Sequence, residues 1–215
     1  MKNYKLLIFD LDGTILETLE DLTDSTNVAL KSQGFPEKTM EQVRSYIGNG
    51  IYKLLERAVP KGTEPEILEK VYKTFKEYYR LHCADKTKPY DGMAELLTEL
   101  KKNGHLLAVV SNKADFAVQS LCKEYFGDLF DYTAGEREGV RRKPYPDSIL
   151  EVLKVFHVEK EHAVYIGDSE VDIQVAKNAG IDEIAVAWGY RDEEFLMEQG
   201  ARVIVKDVKE IGKIV

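Results

Sequence analysis

The chain has little that would suit an extracellular or redox role. Its only two cysteines among 215 residues, Cys83 and Cys122, lie far apart and form no CxxC spacing. That excludes a disulfide framework and fits unpaired thiols in a reducing compartment. No apolar run approaches membrane-spanning length, and the N-terminal run Leu6-Leu7-Ile8-Phe9 is cut short by Asp10, so neither a transmembrane helix nor a signal peptide is expected. Positive charge is in deficit too: the net charge is -8, which repels nucleic acid and anionic membrane unless a local cationic site offsets the field. Any phosphate ligand must therefore be small and locally held. There is no internal repeat and no low-complexity segment. These absences predict a cytoplasmic protein with no nucleic-acid or membrane partner. What remains is an ordinary globular composition, 44% hydrophobic, sufficient for one sizeable core or a core with a small second domain.

The most informative segment is Asp10-Leu11-Asp12-Gly13-Thr14, directly behind that apolar run. Side chains alternate along a strand, so Asp10 and Asp12 start on one side and Leu11 on the other, while Gly13 lets the chain turn away. Two carboxylates this close repel, which favours a cation between them or a raised pKa on one. Either outcome serves phosphoryl transfer, since a metal can clamp a phosphate and a protonated acid can protonate a leaving group. Taken alone, Asp12-Gly13 is equally a turn after a core strand.

The rest of the chain alternates strand and helix patterns, which predicts an α/β fold: a Rossmann-like three-layer core around a mostly parallel sheet. From about residue 16 to residue 85 only helical signals occur. Thr39 with Gln42 and Thr63 with Glu66 fit capping boxes, and Leu68, Val71, Tyr72, Phe75 and Tyr79 form one packing stripe. The expectation is an inserted all-helical domain at 16–85, with residues 1–15 and 86–215 forming the core domain. Within that core, Asp91 is the expected cap of a helix through Met93, Leu96, Leu97 and Leu100. Strands are expected at 105–110, near Tyr132, at 163–166, at 183–187 and around 203–205, with helices at about 115–125, at about 147–156 and from Gly167-Asp168 to Asn178. Asp10, Asp12, Ser111, Asn112 and Asp168 then all fall at strand ends, where open parallel sheets bind ligands.

In this order the motifs DLDGT at 10–14, SNK at 111–113, RKP at 142–144 and GDSEVD at 167–172 resemble the haloacid dehalogenase-like hydrolases, in particular the phosphoglycolate phosphatase-like branch with a helical cap. The resemblance covers essentially the whole chain. It implies a magnesium-dependent phosphatase of a small phosphorylated metabolite, working as a monomer or homodimer. Asp10 would be the nucleophile and Asp12 the acid and base. Ser111 and the backbone N–H of Asn112 would hold phosphate oxygens, and Lys143 would neutralise charge. Mg2+ would be held by Asp10, the carbonyl of Asp12 and Asp168, with Asp172 acting from behind. Gly48, Asn49 and Gly50, ahead of a helix, would present N–H groups to an anionic leaving group or equally form just a helix–helix turn. Glu17-Thr18 departs from the aspartate usual in relatives and leaves the leaving-group pocket open. The same core also serves phosphomutases of the beta-phosphoglucomutase type, pyrophosphatases and nucleotidases; dehalogenases lack the second acid that Asp12 supplies.

Physical chemistry weighs on these roles separately. A phosphomonoester dianion repels a carboxylate nucleophile, so positive charge must stand near it, and magnesium accepts an all-oxygen ligand set. Ser169 with Asp172 also matches a capping box, and Asp168 could cap the same helix. Arg141-Arg142-Lys143 would ordinarily be a solvated face, but Pro144 restricts Lys143 to an extended backbone that can aim it. Lys113 is the weaker rival for the cationic role. A binding module without catalysis would not need Asp10, Asp12, Lys143 and Asp168 together.

Overall fold

The computed structural model describes residues 4–215, which divide into two compact units: one of the chain up to Leu16 and from Pro89 onward, the other of Glu17–Lys88. The first unit is built on a six-stranded sheet in the order β5-β4-β1-β6-β7-β8. Its strands are β1 (Leu6–Phe9), β4 (Leu106–Ala114), β5 (Tyr132–Glu136), β6 (Ala163–Gly167), β7 (Asp182–Val186) and β8 (Ile204–Val205), all paired in parallel. Between them run α5 (Met93–Lys102), α6 (Asp115–Phe126), α7 (Asp147–Phe156), α8 (Glu170–Ala179) and α9 (Glu193–Glu198), and α10 (Val208–Ile214) closes the chain. Every residue of β1 is fully buried, as a strand covered on both faces requires. Leu6 and Ile8 point into a cluster with Val110, Ile149, Val152, Tyr165, Val175 and Ala176, which joins the sheet to α7 and α8.

Register positions the chemistry. Phe9 of β1 lies opposite Val109 of β4 on one side and Ile166 of β6 on the other, so β1 and β6 end at nearly the same height while β4 runs on past them. The chain runs outward from β1 to β4 and β5, then returns to β6 on the opposite side of β1. That reversal makes the crevice beyond the carboxyl ends of β1, β4 and β6 the place where such a sheet binds ligands.

Two departures from the sequence reading stand out in this unit. β4 does not stop at Ser111 but continues to Ala114, with a register shift against β5 between Val110 and Ala114. The irregularity re-aims successive side chains, as bulges do. At α5 the N-cap is Gly92 in a left-handed conformation with no side-chain cap, so Asp91 does not fill that role.

The second unit contains α1 (Leu19–Lys31), α2 (Met40–Tyr46), α3 (Ile51–Ala58) and α4 (Pro65–His82). The short strands β2 (Leu16–Glu17) and β3 (Lys88–Pro89) pair where the chain leaves the first unit and returns to it. Leu68, Val71, Phe75 and Tyr79 of α4 are buried, the apolar stripe of an amphipathic helix, while Tyr72 is half-buried. The capping box of Thr39 and Gln42 is present at α2. The one expected at Thr63 and Glu66 is not: Pro65 takes the first helical position behind Glu64, and the Thr63 hydroxyl donates to the Pro60 carbonyl. Proline at that position sacrifices no helical N–H, so it starts the helix without a side-chain cap. Asp21 of α1 accepts hydrogen bonds from the N–H of Lys86 and from both the N–H and the hydroxyl of Thr87, which fastens the returning chain to this unit.

Candidate active site

At the end of β1 the Asp10 N–H still donates to the Ile166 carbonyl at 2.9 Å, so the aspartate begins from a fixed sheet position. Asp10, Asp168 and Asp172 each offer a carboxylate oxygen, and these oxygens lie within 4.8 Å of one another. All three residues are buried. Lys143, 5% exposed, stands among them, with Nζ 2.7 Å from Asp172 Oδ1 and 3.0 Å from Asp10 Oδ1. Asp10 Oδ1 is thus a buried oxygen held by an ion pair and by no geometrically formed hydrogen bond. Lys143 Nζ also donates to the Tyr165 hydroxyl, which in turn donates to the Val110 carbonyl.

The electrostatics follow from that crowding. Burial pushes Asp10 up to about 6; Lys143 opposes the rise, while Asp172 and Asp12 add to it. Burial likewise drives Asp168 well above the usual carboxylate range, reinforced by Asp172 and Asp10 and resisted by the N–H of Tyr190 and by Lys143. For Lys143, burial pulls downward, but Asp10 and Asp172 more than offset it and the ammonium is held charged. With all three carboxylates ionised, the single ammonium would leave a deficit of two positive charges. A buried oxygen without a hydrogen bond, an all-oxygen donor set and that deficit together fit a hard divalent cation.

The backbone is shaped to admit these groups. Gly13 has φ +79, and a Cβ there would lie 2.4 Å from Asp168 Oδ2. Gly189, after β7, comes so close that a Cβ would lie 2.4 Å from both Asp168 Cβ and the Gly13 carbonyl oxygen. The next residue, Tyr190, donates its N–H to Asp168 Oδ2 at 2.7 Å, and Trp188 Nε1 donates to the Thr14 carbonyl at 3.0 Å. The segment 188–190 thus fixes Asp168 and the turn behind Asp12 at once.

Most residues expected from the sequence to form the site meet in this unit, in arrangements that motif reading did not foresee. Asn112 uses its side chain as a clamp: Oδ1 accepts from the Lys143 N–H at 2.8 Å and Nδ2 donates to the Lys143 carbonyl at 3.1 Å. Ser111 is buried beside it, and its Oγ accepts from the Lys113 N–H. Asp172 completes a capping box with Ser169 while pairing with Lys143, so capping and site membership coexist in one side chain. The Asp12 carboxylate stands outside the cluster of three acids and takes the Lys113 ammonium at 2.7 Å. Gly48, Asn49 and Gly50 belong to the second unit, where Gly50 with φ +82 precedes α3. There Arg57 donates to the Tyr46 carbonyl and to Asn49 Oδ1. Glu17 pairs with Lys88 at 3.2 Å.

Tyr165, Trp188, Gly189 and Tyr190 escaped the sequence reading. Tyr165 carried a signal: a tyrosine inside a strand otherwise apolar and buried must find a partner for its hydroxyl. The two cysteines are buried free thiols, and burial pushes Cys122 up to about 12, which keeps it a packing residue. Among the described residues no helix is long and apolar enough to cross a membrane.

Comparison with known proteins agrees with this geometry. The family model described as haloacid dehalogenase-like hydrolase matches residues 7–186. Phosphoglycolate phosphatase 1 of Pseudomonas aeruginosa is 32% identical over 213 residues, covering 96% of this chain and 78% of that protein. A phosphoglycolate phosphatase of Nitrosospira multiformis is 31% identical over 98% of this chain and 95% of its own. Among solved structures, a Lactobacillus delbrueckii protein provisionally assigned as a phosphoglycolate phosphatase superposes with a TM-score of 0.94 at 40% identity, over 100% and 98% of the two chains. CbbY of Rhodobacter sphaeroides in complex with phosphate gives 0.80 at 27% identity, over 97% and 96%.

Proposed function

Since the chain belongs to the haloacid dehalogenase-like hydrolases and is a phosphoric monoester hydrolase, we propose that it is a magnesium-dependent phosphatase of a small phosphomonoester, phosphoglycolate first among them, acting through an aspartyl-phosphate on Asp10. The observation that carries this reading is the buried Asp10 oxygen that lacks a hydrogen bond while facing Lys143 and two further carboxylates. An oxygen at the end of a fixed strand that meets an ammonium without a hydrogen bond keeps its lone pairs available for attack. A carboxylate that needed only stability would have been tied down.

The assigned roles follow the chemistry of the reaction. An Asp10 oxygen attacks phosphorus as the bond to the leaving oxygen breaks, and Asp12 delivers a proton to that oxygen. Water then attacks the aspartyl-phosphate, Asp12 takes its proton, and inorganic phosphate leaves with Asp10 restored. Ser111 and the Asn112 N–H hold phosphate oxygens in both steps, and Lys143 offsets the charge gathered between nucleophile and phosphate. Asp10, the Asp12 carbonyl and Asp168 would hold Mg2+, with Asp172 behind them, and the bound ion supplies the remaining positive charge. Selection of the leaving group we assign to the helical insert and its Gly48-Asn49-Gly50 loop, whose N–H groups suit a carboxylate.

Purified protein assayed with p-nitrophenyl phosphate and with phosphoglycolate tests the proposal. Hydrolysis should require magnesium, release free phosphate, and vanish in Asp10→Asn with the fold intact. Full activity in that variant or indifference to a chelator would refute the mechanism. Relocation of phosphate within a sugar phosphate, with a need for a bisphosphate, would instead mark a mutase.

A further inference from the structure

Lys113 stands behind Lys143 in the sequence reading, yet it holds the second catalytic acid. Its Nζ donates to Asp12 Oδ1 at 2.7 Å, and its side chain is 1% exposed against 15% for Asp12. This is no surface ion pair of negligible consequence: solvent neither screens it nor offers the ammonium another direction. The lysine starts from a rigid base. It sits in the irregular stretch of β4, with its N–H on Ser111 Oγ at 3.3 Å. Its carbonyl faces Gly135 of β5 so closely that a Cβ there would come within 2.4 Å. Asp12 lies on the turn beyond β1, in an isolated bridge with Leu16.

We propose that Lys113 is a positioning residue that sets the direction of the Asp12 carboxyl group for proton transfer to the leaving oxygen. The inference rests on the reading of Asp12 as the general acid. With Oδ1 anchored by a charge-assisted hydrogen bond, Oδ2 carries the proton that passes to the leaving oxygen as the phosphorus–oxygen bond breaks and the Asp10–phosphorus bond forms. The breaking bond's electron pair stays on the leaving oxygen, where the proton neutralises it. Lys143 cannot substitute, because it is committed to Asp10 and Asp172.

The test exploits leaving-group chemistry. The ratio kcat/KM reports only the steps up to loss of the alcohol, so it isolates the protonation. Glycolate must be protonated as it departs, whereas p-nitrophenolate is stable as an anion. In Lys113→Met, kcat/KM for phosphoglycolate should fall about 100-fold, within the range general acid catalysis supplies, while that for p-nitrophenyl phosphate should fall less than about 5-fold. Lys113→Arg should restore most of the loss. In an Asp12→Ala background the Lys113→Met change should add nothing, because the two act as a unit. Equal losses on both substrates, or a further loss in the double variant, would overturn the proposal and make Lys113 a structural or phosphate-binding residue. If Lys113→Met does not accumulate as folded protein, Lys113→Gln carries the same comparison. Failure of the wild type itself to hydrolyse either ester would instead strike at Asp12 as the acid and at the phosphatase mechanism.

Discussion

Replacing Asp10 by Asn should abolish turnover and, in the absence of magnesium, make the protein more stable. The native fold raises Asp10 from 3.8 to about 6, chiefly by burial. The sign follows from proton binding: near pH 5 the folded carboxyl group holds its proton more firmly than the unfolded one, so stability falls as pH rises from about 4 through about 6. At 1.36 kcal/mol per pH unit, the gap between 3.8 and about 6 makes the ionised Asp10 carboxylate cost the fold about 3 kcal/mol at neutral pH. Asn is close in shape to the neutral acid and carries no charge, so it escapes that cost. Urea unfolding with chelator present should show Asp10→Asn more stable by about 2 to 3 kcal/mol near pH 7.5 and by less than about 1 kcal/mol near pH 4. Saturating magnesium should close the gap, since the cation binds the charged site more tightly than the neutral one. An Asn variant no more stable than wild type at neutral pH, or an advantage independent of pH, would refute the charge argument.

The other perturbations concern groups around Asp10. Lys143→Met removes the ammonium from two buried carboxylates and should lower unfolding free energy by about 3 to 5 kcal/mol in chelator as well as abolish turnover; an unchanged urea midpoint would mean that the ion pairs do not hold the fold. Gly189→Ala forces a Cβ against Asp168 and the Gly13 carbonyl and should cost about 1 to 3 kcal/mol while raising the magnesium concentration needed for half-maximal activity. A magnesium titration that superposes on wild type would show that the segment after β7 does not fix Asp168.

The sequence disclosed elements whose cause is local. Leu6–Phe9 reads as a strand buried on both faces because four consecutive apolar residues leave no solvent side, and it is one. Thr39 with Gln42 caps α2 because both groups lie within one turn of the bonds they make. Local cues compete, however: at α4 the fixed φ of Pro65 set the helix start one residue beyond the Thr63 signal, and at α5 the left-handed Gly92 displaced Asp91. Pairings across the chain were illegible. Asp12 and Lys113 are 101 residues apart, and their contact depends on how far β4 runs past the end of β1. The Asn112 clamp on Lys143 likewise spans 31 residues and joins a strand end to a loop.

On the proposed mechanism, the two lysines explain how four aspartates could serve one reaction without cancelling one another. A nucleophile must be anionic near a phosphate dianion, whereas the acid must give up a proton beside it; one shared pool of charge would blur these demands. The fold separates them. Lys143, clamped by Asn112, is committed to Asp10 and Asp172, and Lys113, rooted in the β4 irregularity, to Asp12. Arg141 and Arg142 could supply the same charge from the adjoining chain, yet they pair with Asp147 and Glu136 at the surface. Those pairs are solvent-exposed, whereas the Lys113 ammonium that meets Asp12 at 2.7 Å is buried. The cost of burying these charges therefore falls on the groups to which the proposed mechanism gives different tasks, attack to Asp10 and proton transfer to Asp12.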